Sequence, residues 1–149
     1  MNILIMGLPG SGKTTLAANL MKLLVSENLP VKWYNDDMVR EVFNDSDFSD
    51  QGSMKQFLRM RELSRIAAYQ NFIVISDLVA PTNINQLLYR PDMLIWMDTV
   101  KTSKFKNINE IFEPPRLYTF RVRKKNAKLW AQIIFDNIMG KVNDTVKIN

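Results

Sequence analysis

The sequence predicts an α/β fold with three layers, in which a parallel sheet of about five strands is flanked by helices. Short runs of apolar and β-branched residues alternate with longer segments whose apolar residues recur at helical spacing. A glycine-rich loop joins the first strand to the first helix, as in sheets that bind ligands at the carboxyl ends of their strands. The chain has 149 residues, 46% of them hydrophobic and 23% charged, which indicates one folded domain over residues 1–149.

Five elements are expected in the first half of the chain. The first strand is apolar and therefore buried, and the helix after it carries leucines at helical spacing. Pro30 ends the link to a second strand, which leads directly into Asp36 and Asp37. Because aspartate is a favoured N-cap, an alternative is that these acids only cap the short helix that follows. The strands are expected at residues 2–6 and 31–35. The helices are expected at residues 14–25, 38–43 and 53–70.

Five more elements are expected in the second half. Thr82 is a suitable cap for the helix that follows the third strand. The stretch 100–116 has no clear period and is expected to be a loop. The last helix should end at Gly140, and residues 141–149 should form a frayed tail. The strands are expected at residues 72–75, 93–97 and 118–122. The helices are expected at residues 81–89 and 124–139.

The composition excludes several classes of chemistry. Cysteine and histidine are both absent from the sequence, so disulfides, zinc clusters, thiol nucleophiles and imidazole bases are ruled out. The net charge of +5 favours anionic partners such as nucleotides, phosphate or sulfate esters, or nucleic acid. The sequence has no basic leader and no apolar run of the ~18 residues that a membrane span needs, so a cytoplasmic location is expected.

Residues 7–14, Gly-Leu-Pro-Gly-Ser-Gly-Lys-Thr, match the phosphate-binding pattern G-x-x-x-x-G-K-[ST] in full. We call them the phosphate loop. The loop lies between a strand and a helix, which is the context that the motif requires. Its glycines let backbone N–H groups turn toward phosphate, Lys13 can reach the β- and γ-phosphates, and the Thr14 hydroxyl can ligate Mg²⁺. The fold is therefore predicted to be that of a P-loop NTPase. The candidate ATP contacts are Gly7, Leu8, Pro9, Gly10, Ser11, Gly12, Lys13, Thr14 and Thr15.

Acidic residues follow the second and third strands. Asp36 and Asp37 come where the γ-phosphate is expected, and there an acceptor hydroxyl needs a base or Mg²⁺ needs a ligand. Asp77 ends an Ile-Val-Ile-Ser run similar to a Walker B strand, so it competes with Asp37 for the metal and ranks second. Arg40, one turn further on, can clamp an anionic group of the acceptor.

From residue 1 to about residue 122 the sequence resembles the adenylylsulfate kinases. In that family the phosphate loop is followed by D-G-D-x-x-R. Residues 35–40 read Asn-Asp-Asp-Met-Val-Arg, which keeps the third-position Asp and the Arg and replaces the first Asp by Asn35. The family's later G-F-S, S-P, V-D-T and Y-E-P-P segments are similar to residues 47–49, 79–81, 97–99 and 111–115.

The resemblance implies a kinase that transfers the γ-phosphate of ATP to a hydroxyl, foremost the 3′-hydroxyl of adenylyl sulfate. Lys13 would neutralise phosphate charge, and Asp37 would be the base or a metal-linked carboxylate. Phe48 is similar to the family's Phe that stacks on the adenine of the acceptor. ATP and Mg²⁺ are the cofactors, with Thr14, Asp37 and Asp77 as candidate metal ligands. With Arg59 on the long helix included, the candidate acceptor contacts are Arg40, Asn44, Phe48, Gln56, Arg59, Ala80 and Pro81.

The sequence also departs from the family pattern. The family's E-D-R-x-x-N falls near residues 52–56, where Ser53 takes the Arg position and Gln56 the Asn position. Ala80 takes the place of the Ser in S-P. The basic lid after V-D-T is largely missing, and only three lysines precede the Pro pair, Lys101, Lys104 and Lys106. Transition-state charge would therefore need another cation.

Two other functions stay open on the sequence alone. A 5′-polynucleotide or nucleotide kinase is supported by the basic net charge and by Ile75-Ser-Asp77, which is also similar to the polynucleotide kinase pattern. Nucleic acid is therefore a possible partner, although a small anionic acceptor is favoured. The second alternative is a nucleotide-binding protein that has lost kinase activity with its lid.

Overall fold

The computed structural model describes residues 1–148, and in this range it contains five β-strands and six α-helices. The strands β1 to β5 span Asn2–Met6, Val31–Asn35, Ile73–Leu78, Met93–Met97 and Phe120–Val122. The helices α1 to α6 span Lys13–Ser26, Asp36–Val42, Asp50–Tyr69, Asn83–Tyr89, Lys106–Ile111 and Ala127–Ile148. β1, β2 and β4 have the bounds expected from the sequence. Among the helices of residues 1–148, none combines the length and the apolar character that crossing a bilayer requires.

The five strands form one parallel sheet in the order β2-β3-β1-β4-β5. β1 is central and pairs with β3 on one side and β4 on the other. β2 lies at the edge next to β3, with Asn35 opposite Asp77 in the register. Because the strands are parallel, the phosphate loop after β1 and helix α2 after β2 leave the same edge of the sheet. The candidate site residues of these segments therefore lie near one another.

Helices cover both faces of the sheet. Side chains alternate along β1, so Ile3 and Ile5 belong to one apolar cluster and Leu4 and Met6 to the other. The first cluster includes residues of α1 and α6, namely Leu16, Leu20, Ile134 and Ile138. The second includes residues of α2, α3 and α4, namely Val39, Phe57, Met60 and Tyr89. The molecule thus has the three layers predicted from the sequence.

The last helix differs from its expected bounds at both ends. α6 begins at Ala127, because the side chain of Asn126 accepts a hydrogen bond from the N–H of Leu129 at 3.3 Å. It continues through Gly140, so the expectation that Gly140 ends the helix was wrong. A glycine inside a helix costs roughly 0.5–1 kcal/mol relative to alanine, and the packing of Val142 against the core offsets this cost. The frayed tail was also wrong as far as residue 148, and Asn149 lies outside the described residues.

Two further expectations need correction. The segment 100–116, expected to be a loop, contains the helix α5. No residue of α5 is buried, and Asn109 holds the helix by accepting hydrogen bonds from the N–H and the hydroxyl of Ser103, both at 2.8 Å. Apolar periodicity cannot detect a helix of this kind. The third strand extends to Leu78, so Asp77 lies inside β3 instead of following it.

Candidate functional site

The phosphate loop has the backbone conformation that its glycines permit. Gly7 has φ 151°, and a Cβ at this residue would lie 2.6 Å from the carbonyl oxygen of Met97. Gly12 has φ 95° and caps α1 in the left-handed conformation. The Lys13 Nζ donates hydrogen bonds to the carbonyls of Gly7 and Leu8 at 3.0 and 3.1 Å. Lys13 is therefore held at the loop by neutral acceptors that an anion can replace.

The end of β4 anchors the phosphate loop. The Thr99 hydroxyl donates to the carbonyl of Ser11 at 2.6 Å. Asp98 accepts from Nη2 and Nε of Arg121 at 2.7 and 3.0 Å, and the guanidinium of Arg121 lies 4.3 Å from the ring of Trp96. The segment that is similar to V-D-T thus fixes the loop from the neighbouring strand, a role that the sequence reasoning missed.

A cavity of about 530 Å³ lies beside the phosphate loop. Its volume falls in the range of small-molecule sites. Lys13 and Thr14 line one side. The cavity is also lined by residues between the end of β5 and the first turn of α6, namely Val122, Lys125, Asn126, Ala127 and Trp130. This cavity can hold the nucleoside of a nucleotide whose phosphates contact the loop.

Asp77 lies at the centre of a buried polar cluster. The side chain is 2% exposed, and its Oδ2 accepts a hydrogen bond from Trp33 Nε1 at 2.8 Å. Its Oδ1 accepts from Asn35 Nδ2 at 2.7 Å and lies 3.5 Å from the hydroxyl of Thr14. Burial raises the pKa of Asp77, while the bonds from Trp33 and Asn35 and the charge of Lys13 act in the opposite direction. The cluster brings two predicted metal ligands, Thr14 and Asp77, into contact.

Asp36 and Asp37 lie in the first turn of α2, but neither caps it. Asn35 is the N-cap, and its side-chain oxygen accepts from the N–H of Met38 at 3.0 Å. Asp36 is half-buried and accepts a hydrogen bond from Gln56 Nε2 at 2.8 Å, whereas Asp37 is exposed. Burial raises the pKa of Asp36. The alternative in which both acids serve as caps is therefore wrong.

Lys13 lies in the field of these acids. Burial lowers the pKa of Lys13, and the negative charges of Asp77, Asp36 and Asp37, in decreasing order of effect, act to raise it. The charge of the lysine therefore interacts with the charges of the three carboxylates at this edge of the sheet.

Arg40 and Phe48 pack together beyond α2. Arg40 is 7% exposed, which differs from the solvated position typical of surface arginines. Its Nη1 donates to the carbonyl of Asp47 at 2.9 Å and lies 3.5 Å from a carboxylate oxygen of Asp45. Its guanidinium carbon lies 4.5 Å from the ring centre of Phe48, which is 70% exposed. The ring of Phe48 is thus held on a cation and remains open to a ligand.

Arg59 joins the same cluster from α3. Its Nη1 donates to the other carboxylate oxygen of Asp45 at 2.9 Å and also to the side-chain oxygen of Gln56. Its guanidinium carbon lies 4.3 Å from the ring centre of Phe43. Asp45 therefore bridges both arginines, and Gln56 links them to Asp36. The sequence reasoning singled out Arg40, Phe48, Gln56 and Arg59, which the structure brings together, and it missed Asp45.

The remaining candidate acceptor contacts have different environments. Asn44 is exposed and has φ 50°, a left-handed conformation that asparagine tolerates at the end of α2. Ala80 is 2% exposed, and its carbonyl accepts a hydrogen bond from Gln86 at 3.3 Å. The carbonyl of Pro81 accepts from the N–H of Glu113 at 2.7 Å. The Ala80-Pro81 turn is thus tied to α4 and to the segment that is similar to Y-E-P-P.

The donor set beside the phosphate loop suits magnesium. Thr14 and Asp77 offer oxygen atoms, which are the ligands that Mg²⁺ prefers. In residues 1–148, no group of three or more acidic side chains could form a metal site by itself. Magnesium in phosphate-transferring sites is held by one or two carboxylates together with substrate phosphates. The residues present therefore fit a nucleotide-bound Mg²⁺.

Comparison with known proteins identifies a family. The sequence profile described as adenylylsulphate kinase matches residues 1–95. A probable adenylyl-sulfate kinase of Aeropyrum pernix is 34% identical over 76 residues, which cover 50% of this chain and 42% of that protein. An adenylyl-sulfate kinase of Saccharomyces bayanus is 31% identical over 81 residues, which cover 54% of this chain and 40% of that protein. The chain spans about two fifths of the length of these curated relatives.

A solved structure has the same fold as this chain. The Mycobacterium tuberculosis APS kinase CysC, determined in complex with AMPPNP and APS, matches with a TM-score of 0.81 at 18% identity. The match covers 92% of this chain and 96% of that chain. It confirms the predicted P-loop fold with its five-stranded parallel sheet and flanking helices. Since the family profile matches more than half of the sequence, the chain belongs to the adenylylsulphate kinase family.

Proposed function

We propose that residues 1–149 form a single kinase domain that transfers the γ-phosphate of ATP to the 3′-hydroxyl of adenylyl sulfate. One observation carries the proposal. In a chain of the adenylylsulphate kinase family, Lys13 of the phosphate loop and Arg40, which holds the ring of Phe48, both act electrostatically on Asp36 at the start of α2. A phosphate donor and a planar, anionic acceptor can therefore meet at this edge of the sheet. The proposal includes the cytoplasmic location expected from the sequence.

The phosphate loop binds ATP in this proposal. Its backbone N–H groups and the Lys13 ammonium contact the phosphates, and the nucleoside occupies the cavity between the loop and the start of α6. Thr14, with Asp77 or Asp37, holds Mg²⁺, which neutralises charge on the transferred phosphoryl group when it is bound. The contact between Thr14 and Asp77 supports this arrangement.

Asp37 acts on the acceptor. The 3′-oxygen forms a bond to the γ-phosphorus while the bond from that phosphorus to the β,γ-bridging oxygen breaks, and ADP leaves. The hydroxyl proton passes to the carboxylate of Asp37. Arg40 and Arg59 attract the anionic part of the acceptor, and the exposed ring of Phe48 stacks on its base. Positioning and charge neutralisation supply most of the rate enhancement in this type of reaction.

A transfer experiment tests the proposal against its rivals. The chain is incubated with γ-labelled ATP and either adenylyl sulfate or a 5′-hydroxyl oligonucleotide, and the labelled products are separated. We expect label on adenylyl sulfate. Label on the oligonucleotide would support a polynucleotide kinase instead, and ATP binding without transfer to either acceptor would support a nucleotide-binding protein. Lys13→Ala serves as the control for contaminating kinases.

A further inference from the structure

Among the described residues, the lining of the cavity beside the phosphate loop includes two lysines and no carboxylate. Lys13 is the first residue of α1, whereas Lys125 lies in the short loop between β5 and α6. The acids whose charges act on Lys13 do not line the cavity. An anion that enters this space therefore meets positive charge from two separate elements of the fold.

The loop that carries Lys125 is fixed at both ends. At its start, Val122 is 1% exposed, and its carbonyl accepts a hydrogen bond from the N–H of Asp98 at 2.8 Å. At its end, the side chain of Asn126 accepts from the N–H of Leu129 in the first turn of α6 at 3.3 Å. Only three residues separate these two anchors. The fold therefore determines the position of Lys125 beside the cavity.

Lys125 differs from the other cations of its loop. Arg123, Lys124 and Lys125 are consecutive and all exposed, but only Lys125 lines the cavity. In the part of the chain that the structure describes, the ion pairs do not include Lys125. Its ammonium can therefore pair with an anionic ligand without giving up a carboxylate partner.

The rest of the lining indicates which kind of anion fits. The apolar lining residues are Leu16, Met97, Val122 and Trp130. The ring of Trp130 is held by the ring of Phe120, with the centroids 6.4 Å apart and the planes at 69°. A small inorganic ion would leave this apolar surface uncovered. A nucleotide can cover it with its base and ribose and present its phosphates to the lysines.

We propose that Lys125 is a second cation of the nucleotide site and that it binds the phosphate chain of the nucleotide together with Lys13. The inference rests on the proposed function, because it names a further residue that would hold the ATP used in transfer. An ammonium and a phosphate oxygen form a charge-assisted hydrogen bond, and salt screens the attraction between them. The charge of Lys125, and not its bulk, is therefore the property that matters.

Calorimetric titration with ATP and with tripolyphosphate, both without Mg²⁺ and without acceptor, tests this role. Tripolyphosphate carries the phosphate chain of ATP without the nucleoside. The proteins compared are the unmodified chain, Lys125→Gln and Lys125→Arg. The matched control is Lys124→Gln, which removes a charge from the same loop outside the cavity.

At low salt we expect Lys125→Gln to weaken the binding of both ligands by about tenfold, as for the loss of one hydrogen bond to a charged group. High salt should reduce this difference. Lys125→Arg keeps the charge and should keep most of the affinity, and Lys124→Gln should change it by less than about twofold. Thermal unfolding shows whether each variant is folded.

Two results would overturn the role of Lys125. If Lys125→Gln weakens ATP but not tripolyphosphate, or weakens neither, Lys125 does not bind the phosphate chain. If Lys124→Gln weakens both ligands as much as Lys125→Gln does, the overall charge of the loop is responsible. The proposed function fails separately, if the unmodified chain binds neither ATP nor its Mg²⁺ complex.

Discussion

The phosphate half and the acceptor half of the proposed site are built in different ways. The phosphate half depends on the backbone, since Lys13 donates to two main-chain carbonyls of the loop and Thr99 donates to a third. The acceptor half depends on side chains, since Arg40 and Arg59 share the carboxylate of Asp45. The first half can thus be recognised in a short motif, whereas the second requires residues from two helices and a loop.

The two halves also differ in how their cations are paired. A phosphate that reaches Lys13 replaces neutral carbonyls by a charged acceptor, which strengthens the hydrogen bonds. An anionic acceptor meets arginines that are already paired with Asp45, in side chains that are only 8% to 14% exposed. Breaking such a buried pair is costly. The phosphate half is thus organised for an anion in advance, whereas an anionic acceptor would have to share an existing ion-pair network.

The largest effect is expected from Lys13→Ala, which removes the only side-chain cation of the phosphate loop. Phosphoryl transfer should fall by at least about a hundredfold, as when an electrostatic stabiliser is lost. Stability should change little, because the Nζ bonds only carbonyls of its own loop. Transfer assays and thermal unfolding check both points. A folded variant with normal activity would refute the role of the loop.

The next effect concerns the carboxylate that faces the acceptor. Asp37→Asn keeps the size of the side chain but removes its charge, so kcat should fall by ~10² or more while ATP binding is largely kept. Excess Mg²⁺ should not restore this variant, whereas it should partly restore Asp77→Asn. Initial rates over a Mg²⁺ titration at fixed ATP distinguish the two. The reverse pattern of rescue would exchange the roles of the two acids.

Phe48→Ala tests the exposed ring of the acceptor half. Loss of base stacking should raise the acceptor KM by the equivalent of about 1–3 kcal/mol and leave the KM for ATP nearly unchanged. The matched control is Phe72→Ala, which removes another ring on a cation, Lys32, before the start of β3 and so at the opposite edge of the sheet. If Phe48→Ala instead lowers stability and ATP affinity together, the ring is a packing residue.

The pH dependence of MgADP binding tests the phosphate half. Burial lowers the pKa of Lys13 below its ordinary value of 10.5, so affinity should begin to fall on the alkaline side before pH 10.5. Burial raises the pKa of Asp77 above 3.8. As the pH falls, Asp77 should therefore be protonated, and be lost as a metal ligand, before pH 3.8 is reached. Asp77→Asn should weaken this acid limb, and the part that remains belongs to protonation of the phosphates of ADP. An unchanged acid limb in that variant would show that another group titrates.

The raised pKa values also set the sign of a stability change. Asp36 and Asp77 hold their protons more tightly in the folded state than in the unfolded state. Their contribution to the free energy of unfolding should therefore decrease as the pH rises from 3.8 through the raised pKa values. The free energy of unfolding, measured with urea at several pH values, should decrease less with rising pH in Asp36→Asn than in the unmodified chain.

The smallest effect is expected from Asp45→Asn. Removal of the carboxylate relieves repulsion of an anionic acceptor, so the acceptor KM should fall by a few-fold at low salt. Unfolding should become easier, because Arg40 and Arg59 lose their shared partner. Steady-state kinetics at two salt concentrations, with thermal unfolding, measure both effects. A rise in the acceptor KM would indicate that Asp45 positions the arginines instead of competing for them.

Sequence reasoning predicted the parts of the molecule that depend on local patterns. β1, β2 and β4 were predicted with their observed bounds, because each is a short run of residues that favour strands. The phosphate loop was predicted from its motif. Helix α5 was missed because it is held by polar bonds between Ser103 and Asn109 and not by apolar packing. The end of α6 was misplaced because the helix continues through Gly140 and packs Val142 against the core.

The parts that were missed depend on contacts between distant residues. Trp33 and Asn35 reach Asp77 across 44 and 42 positions of the sequence, and Thr99 reaches the phosphate loop across 88. No single residue pattern reports such contacts. The acceptor cluster was half predicted, because the resemblance supplied its aromatic and cationic members but not the carboxylate of Asp45.

The position of the transferred phosphate tests directly whether this chain phosphorylates the 3′-hydroxyl of adenylyl sulfate. The product of the unmodified chain with ATP and adenylyl sulfate is isolated, and phosphorus-proton correlation in NMR locates the new phosphate on the ribose. We expect a phosphate on the 3′-oxygen, formed in equal amount to ADP. ADP that accumulates without a phosphorylated nucleotide, or a phosphate on another oxygen, would contradict it.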